Sequence, residues 1–154
     1  MSELVIRPAN IADLRGILAL YAQPDMDDGD VLELDSAELI FARMCTYPDY
    51  TLMVAVDDKG IAGSLALLIM DNLAHRGAGS AIVEDVVVDP ARHGHGVGTA
   101  LMRDAMARAM AKGCYKLVLS SNMKRTRAHA FYDGLGFRRH GISFWVDLPA
   151  DGQR

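Results

Sequence analysis

The stretch IVEDVVVDPARHGHGVGTALM, residues 82–102, sets the tightest limit on the fold. An apolar run from Ala81 to Val88 predicts a strand, and Asp89-Pro90 stops it, because proline cannot donate to a sheet ladder. Gly94, Gly96 and Gly98 follow at alternate positions, and an amphipathic pattern begins at once. Strand, glycine loop and helix make an anion site: the first N–H groups of a helix lack partners, and the macrodipole makes that end positive. Glycines let a ligand reach the backbone, so phosphate or diphosphate is the natural guest. The nucleotide loop G-x-x-x-x-G-K-[ST] is not matched, since no lysine follows. The dinucleotide fingerprint G-x-G-x-x-G also fails, because the third glycine arrives one residue early. A glycine-rich connection that binds nothing is the plain alternative.

The remaining pattern builds outward from this unit. Leu4 to Arg7 predicts a first strand, and Asn10 caps a helix whose apolar face is Ile11, Leu14, Ile17, Leu18 and Tyr21. Pro24 to Asp30 is a loop, and a second helix spans Ser36 to Met44. Thr51 to Val56 and Ile61 to Met70 form a hairpin about Asp57-Asp58-Lys59-Gly60. The long helix runs from Gly96 to Lys112 with Val97, Leu101, Met102, Ala105, Met106, Ala109 and Met110 as its apolar face. Gly113 ends it, and Tyr115 to Ser120 is a strand most simply parallel to the earlier one. Thr126 to Leu135 is a shorter helix, and Phe144 to Leu148 a last strand. This order predicts a mixed α/β sandwich.

A chain of 154 residues, 51% hydrophobic and 23% charged, suits one globular domain. A net charge of −4 argues against general nucleic-acid binding. No apolar run reaches the length of a membrane span, and MSELVIRPAN lacks a signal-peptide core, so a cytoplasmic protein without membrane contact is expected. Cys45 and Cys114 form neither a disulfide framework nor a metal pair and read as buried thiols. The histidines show no metal-ligand spacing, so no metal is predicted. The nine methionines read as core. Acids crowd Asp25 to Glu38, and Lys124, Arg125, Arg127, Arg138, Arg139 and His140 make a basic zone.

Three motifs in order resemble the GNAT superfamily of acyl-CoA N-acyltransferases. The family's [QR]-x-x-G-x-[GA] loop falls on His93, Gly94, His95, Gly96, Val97 and Gly98, with His93 departing at the first position. "AHAFYDGLGF", from Ala128 to Phe137, resembles the family's A-x-x-F-Y helix followed by G-F, and "VIRPANIADL" its usual opening. More narrowly, "LSSNMKRTRAHAFYDGLGF" is similar to aminoalkylphosphonate N-acetyltransferases, and "KGCYKLVL" to glucosamine-6-phosphate N-acetyltransferases. The resemblance implies a mostly antiparallel sheet with one splayed parallel pair and helices on both faces. It also implies acetyl-CoA as co-substrate and a small-molecule amine as acceptor. A homodimer, common in the family, is expected without an identified interface.

The resemblance assigns roles residue by residue. Backbone amides from Gly94 to Thr99 would take the diphosphate, with His93 and His95 in the same loop. Main-chain groups of Val86, Val87 and Val88 would pair with the pantetheine arm, and an N–H of Val86 or Val87 would hold the oxyanion. Asn122 lies where the family has a polar contact to the pantetheine arm; Arg125, by its charge alone, could meet the 3′-phosphate of CoA or an anionic substrate. Glu84 and Asp85 are the carboxylates that could deprotonate the amine; adjacent strand residues point to opposite faces, and Glu84 is preferred. Tyr132 would protonate the departing thiolate, facing the cleft while Phe131 faces the core. A CoA-binding sensor without turnover would keep the loop but not need Glu84 or Tyr132. A protein N-acetyltransferase would need an open peptide groove.

Overall fold

The computed structural model describes residues 3–149. Contacts divide the chain into two compact units, Met1–Leu119 and Ser120–Arg154.

The first unit is built on one five-stranded sheet. Its strands are β1 (Val5–Pro8), β2 (Tyr50–Asp57), β3 (Gly60–Met70), β4 (Gly79–Val88) and β5 (Cys114–Val118), and they lie side by side in that order. All neighbours are antiparallel except β4 and β5. The parallel pair needs a crossover, supplied by helix α3 (Val97–Ala111). Two helices, α1 (Leu14–Tyr21) and α2 (Leu34–Met44), join β1 to β2.

Period-two alternation sorts the strand side chains to the two faces. Leu52, Val54 and Ala66 join Leu14, Ile17 and Ala37 in the core under α1 and α2. Gly63 lies against α3: a Cβ there would stand 2.9 Å from Val97 Cγ1 and 3.0 Å from Leu101 Cδ1. The glycine is therefore the residue that lets α3 seat on the sheet. The α3 stripe that buries is Val97, Leu101, Met102, Ala105 and Ala109. Met106 and Met110, expected on that face, lie off it and are exposed, as is Met123.

The start of α1 is fixed twice. Asn10 Oδ1 accepts from the Ala12 N–H, and Asp13 Oδ2 accepts from the Asn10 N–H. This reciprocal cap begins with a short 3-10 turn, Ile11–Asp13, that leads into α1. Asp13 is buried and takes two hydrogen bonds from Arg7, at 2.7 and 2.9 Å. Those bonds hold its pKa below the ordinary carboxylate value.

In the second unit, α4 (Thr126–Gly134) follows a turn in which Asn122 Oδ1 accepts from the Lys124 N–H. Gly136, at φ +89°, turns the chain away. The expected strand from Phe144 to Leu148 does not form: residues 137–149 carry neither helix nor strand. Ile142, Phe144, Trp145, Val146 and Leu148 are 78–91% exposed. A strand needs a neighbouring ladder as well as β-prone residues, and here the residues stand alone. Cys45 is exposed, not buried as expected, and Cys114 is half-buried.

Arg7→Met should cost about 2 kcal/mol at neutral pH, the worth of charge-assisted bonds to a buried carboxylate. Because Asp13's folded pKa is depressed, this stabilisation is present above the unfolded carboxylate pKa and lost as pH falls through the folded one. Urea unfolding of both proteins should therefore show a gap that closes on acidification; a gap independent of pH would contradict the assignment.

Candidate functional site

The glycine loop turns on two left-handed glycines. Gly94 and Gly96 adopt φ +78° and +81°, a left-handed conformation that glycine takes without steric cost. Their positions face open space, since a Cβ built on either meets nothing within 4 Å. Gly98 is helical, in the first turn of α3. The His93 and His95 N–H groups are spent on turn bonds to the Pro90 and Arg92 carbonyls, at 3.3 and 3.2 Å. Val97, Gly98 and Thr99 open α3, where N–H groups have no partner within the helix. These donors and the positive helix end suit a diphosphate-sized anion.

The loop is clamped from behind. Arg92 makes two bonds to Asp57 at the end of β2, at 3.1 and 3.0 Å, and a third to Asp89. The guanidinium holds Asp57 below the ordinary carboxylate pKa. Sequence reading passed over this pair because 35 residues separate its members. Pairing in the register Asp57↔Gly60 at the β2–β3 turn is what delivers Asp57 there.

Strand β4 outlasts its parallel partner. Registered pairs with β5 run from Gly79 to Ile82, and β4 continues to Val88. Along its other edge the ladder skips: Ala66 faces Glu84, and Ser64 faces Val87, so Asp85 and Val86 share the span of one β3 residue. This bulge puts Asp85 at φ +54° within a strand. Aspartate tolerates that conformation better than most residues, though strain remains. Val86 lies at the bulge, and Val87 returns to the ladder. The Val88 carbonyl accepts from Gln23 Nε2 at 3.1 Å and lies 3.3 Å from His93 Nε2. That carbonyl, expected to be free for a ligand, is already engaged.

The two carboxylates differ in their surroundings. Asp85 lines a cavity of about 180 Å³ between α1, α2 and the sheet, whereas Glu84 does not line it. Tyr21 and Tyr50 share the wall. Burial, and then the Asp85 charge, push the Tyr21 phenol up to about 12 and raise Tyr50 as well. Asp85 itself is raised by burial and by the like charge of Asp27. The sequence suggested Tyr21 only as a core residue. Its hydroxyl next to an acid appears once the register of β4 is known.

The second unit carries the remaining expected residues. Tyr132 is half-buried, with ring centroids 5.1 Å from Phe131 and 5.8 Å from Phe137. Burial raises its pKa, and Arg125 draws it partly back. Phe131 is half-buried too, so the expected contrast between a core-facing and a cleft-facing ring does not appear in their exposure. Asn122 is exposed; its side chain caps the turn and its carbonyl accepts from His129 Nε2 at 2.8 Å. Among the described residues, no cluster of His, Cys, Asp or Glu could hold a metal.

Residues 15–137 match the model of the Acetyltransferase (GNAT) family. The glucosamine 6-phosphate N-acetyltransferase of Trypanosoma brucei brucei is 41% identical over 88 residues, 57% of this chain and 58% of that enzyme's length. Glucosamine 6-phosphate N-acetyltransferase 1 of Oryza sativa subsp. japonica is 31% identical over 136 residues, 86% of this chain and 79% of the enzyme. Among solved structures, a putative acetyltransferase from Agrobacterium tumefaciens str. C58 superposes with a TM-score of 0.86 at 32% identity, over 94% of this chain and 99% of that one. Two of these relatives are glucosamine 6-phosphate N-acetyltransferases, and the chain belongs to the GNAT family of acetyltransferases.

Proposed function

We propose that the protein transfers the acetyl group of acetyl-CoA to a primary amine of a small molecule, by direct attack within a ternary complex. The observation that carries this reading is the row of amides at Gly94, Gly96 and the start of α3, beside a strand that continues past its partner. The amides take the diphosphate, and the free edge of β4 at Val86 and Val87 takes the pantetheine arm as an added strand.

A lysine-like amine has a pKa of about 10.4, so a neutral nucleophile at pH 7 costs about 4.6 kcal/mol. A carboxylate at the nitrogen gives the amine proton an acceptor, as a general base. Asp85 is the better supported of the two acids, because it lines the cavity. The amine nitrogen bonds to the thioester carbon, and its proton passes to the carboxylate. A main-chain N–H at the bulge, from Val86 or Val87, stabilises the oxyanion. The carbon–sulfur bond then breaks, and the thiolate takes a proton from Tyr132, a role carried by the A-x-x-F-Y likeness. The relatives' names put glucosamine 6-phosphate among the acceptors to assay.

Asp85→Asn should lower kcat/KM for the amine about 100-fold while leaving acetyl-CoA affinity intact. A wild-type rate would remove the residue from the chemistry. Because Asp85 is raised partly by Asp27, Asp27→Asn should move the acid limb of the pH–rate profile to lower pH; an unmoved limb would assign it to another group. Gly96→Val forces a β-branched residue to φ +81° and should cost about 1–2 kcal/mol of stability. It should also weaken acetyl-CoA binding at least tenfold by calorimetry, and unchanged affinity would place the diphosphate elsewhere. Tyr132→Phe should lower kcat about tenfold or more at constant acetyl-CoA affinity, and an unaltered kcat would remove its acid role.

A further inference from the structure

The cavity at Asp85 restricts the acceptor beyond its amine. Its floor and sides are aliphatic and aromatic, with Ile17, Phe41, Met44 and Leu52 among them, and its polar edge is Tyr21, Tyr50 and Asp85. Among the described residues, its lining carries no lysine, arginine or histidine. The nearby Ser64 hydroxyl is already donated to the Met53 carbonyl, at 2.8 Å. A phosphate placed inside would meet no cation and the like charge of Asp85, and a polyhydroxylated ring would find partners only at Tyr21, Tyr50 and Asp85, leaving its other hydroxyls stripped of water and unpaired. An alkyl or aryl group there exchanges water for carbon contacts, which is favourable by area. An ammonium at the edge meets the carboxylate of Asp85, which lines the cavity, and the charges of Asp27 and Glu84 act on the same edge.

We propose that the acceptor is an amine on an apolar body, aliphatic or arylalkyl, whose body fills this cavity with the nitrogen at Asp85. This rests on the acetyltransfer reading and narrows it. The volume of about 180 Å³ accommodates a short chain or a single ring. The acid also explains orientation: an apolar amine enters body first, and the carboxylate keeps the nitrogen at the rim where the thioester arrives.

The test is a series of linear amines from ethyl- to hexylamine, with 2-phenylethylamine and glucosamine 6-phosphate, assayed by release of free CoA thiol and by product mass. kcat/KM should rise about fourfold for each added methylene, and hexylamine and 2-phenylethylamine should exceed the phosphosugar. Leu32 lines the cavity and is 41% exposed, so Leu32→Asp is tolerated by the fold and should flatten the series. A series that is flat in the wild type, or unchanged in the variant, overturns the proposal. Acetylation of glucosamine 6-phosphate without any apolar amine overturns it while leaving the acetyltransfer reading intact. Release of thiol with none of these amines, in protein that binds CoA, overturns both.

Discussion

The structure depends on main-chain groups that are left without partners in two adjacent places. Helix α3 starts with amides that no preceding turn can satisfy, and β4 runs on after its pairing with β5 stops at Ile82. Unpaired backbone groups are costly when buried and useful when they face a ligand. Both sets belong to one strand–loop–helix unit, so the sheet register and the seat of α3 fix their relative position. Gly63 sets that seat by letting Val97 and Leu101 approach the strand. Arg92 ties the connecting loop to Asp57, so the amides are held by a bond to β2 as well as by the loop's own turns.

The bulge in β4 is the second determinant. In an unbroken strand Glu84 and Asp85 would take opposite faces, and neither would gain a special conformation. Two residues opposite one, with Asp85 left-handed, put a carboxylate on the wall of an apolar cavity. The conformation is strained and the carboxylate is partly stripped of water. Because its folded pKa is raised, Asp85 costs stability as pH rises from the ordinary carboxylate pKa through the raised one.

Much of this was legible in the residues. Local signals set most element ends within a residue or two: Asp89-Pro90 after β4, Gly113 at φ +75° after α3, and Gly136 after α4. The glycine loop declared itself because conformational freedom before a helix is a local property. What escaped depended on distance along the chain. The Arg92–Asp57 clamp and the Ala66↔Glu84 register skip join residues far apart in sequence. Preference for Glu84 over Asp85 rests on likeness, whereas it is Asp85 that takes the left-handed backbone and lines the cavity. Met106 and Met110 looked like core because a helix rich in alanine and methionine reads as apolar over a wide arc, while the sheet covers a narrower stripe. Phe144 to Leu148 had strand composition but no ladder to join.

The most direct measurement follows the backbone amides themselves. In 15N-labelled protein titrated with coenzyme A, the Gly94, Gly96, Val97 and Gly98 amide protons should move downfield together and saturate with the binding isotherm. Saturable binding that leaves those four resonances in place, or no binding at all, would contradict the account.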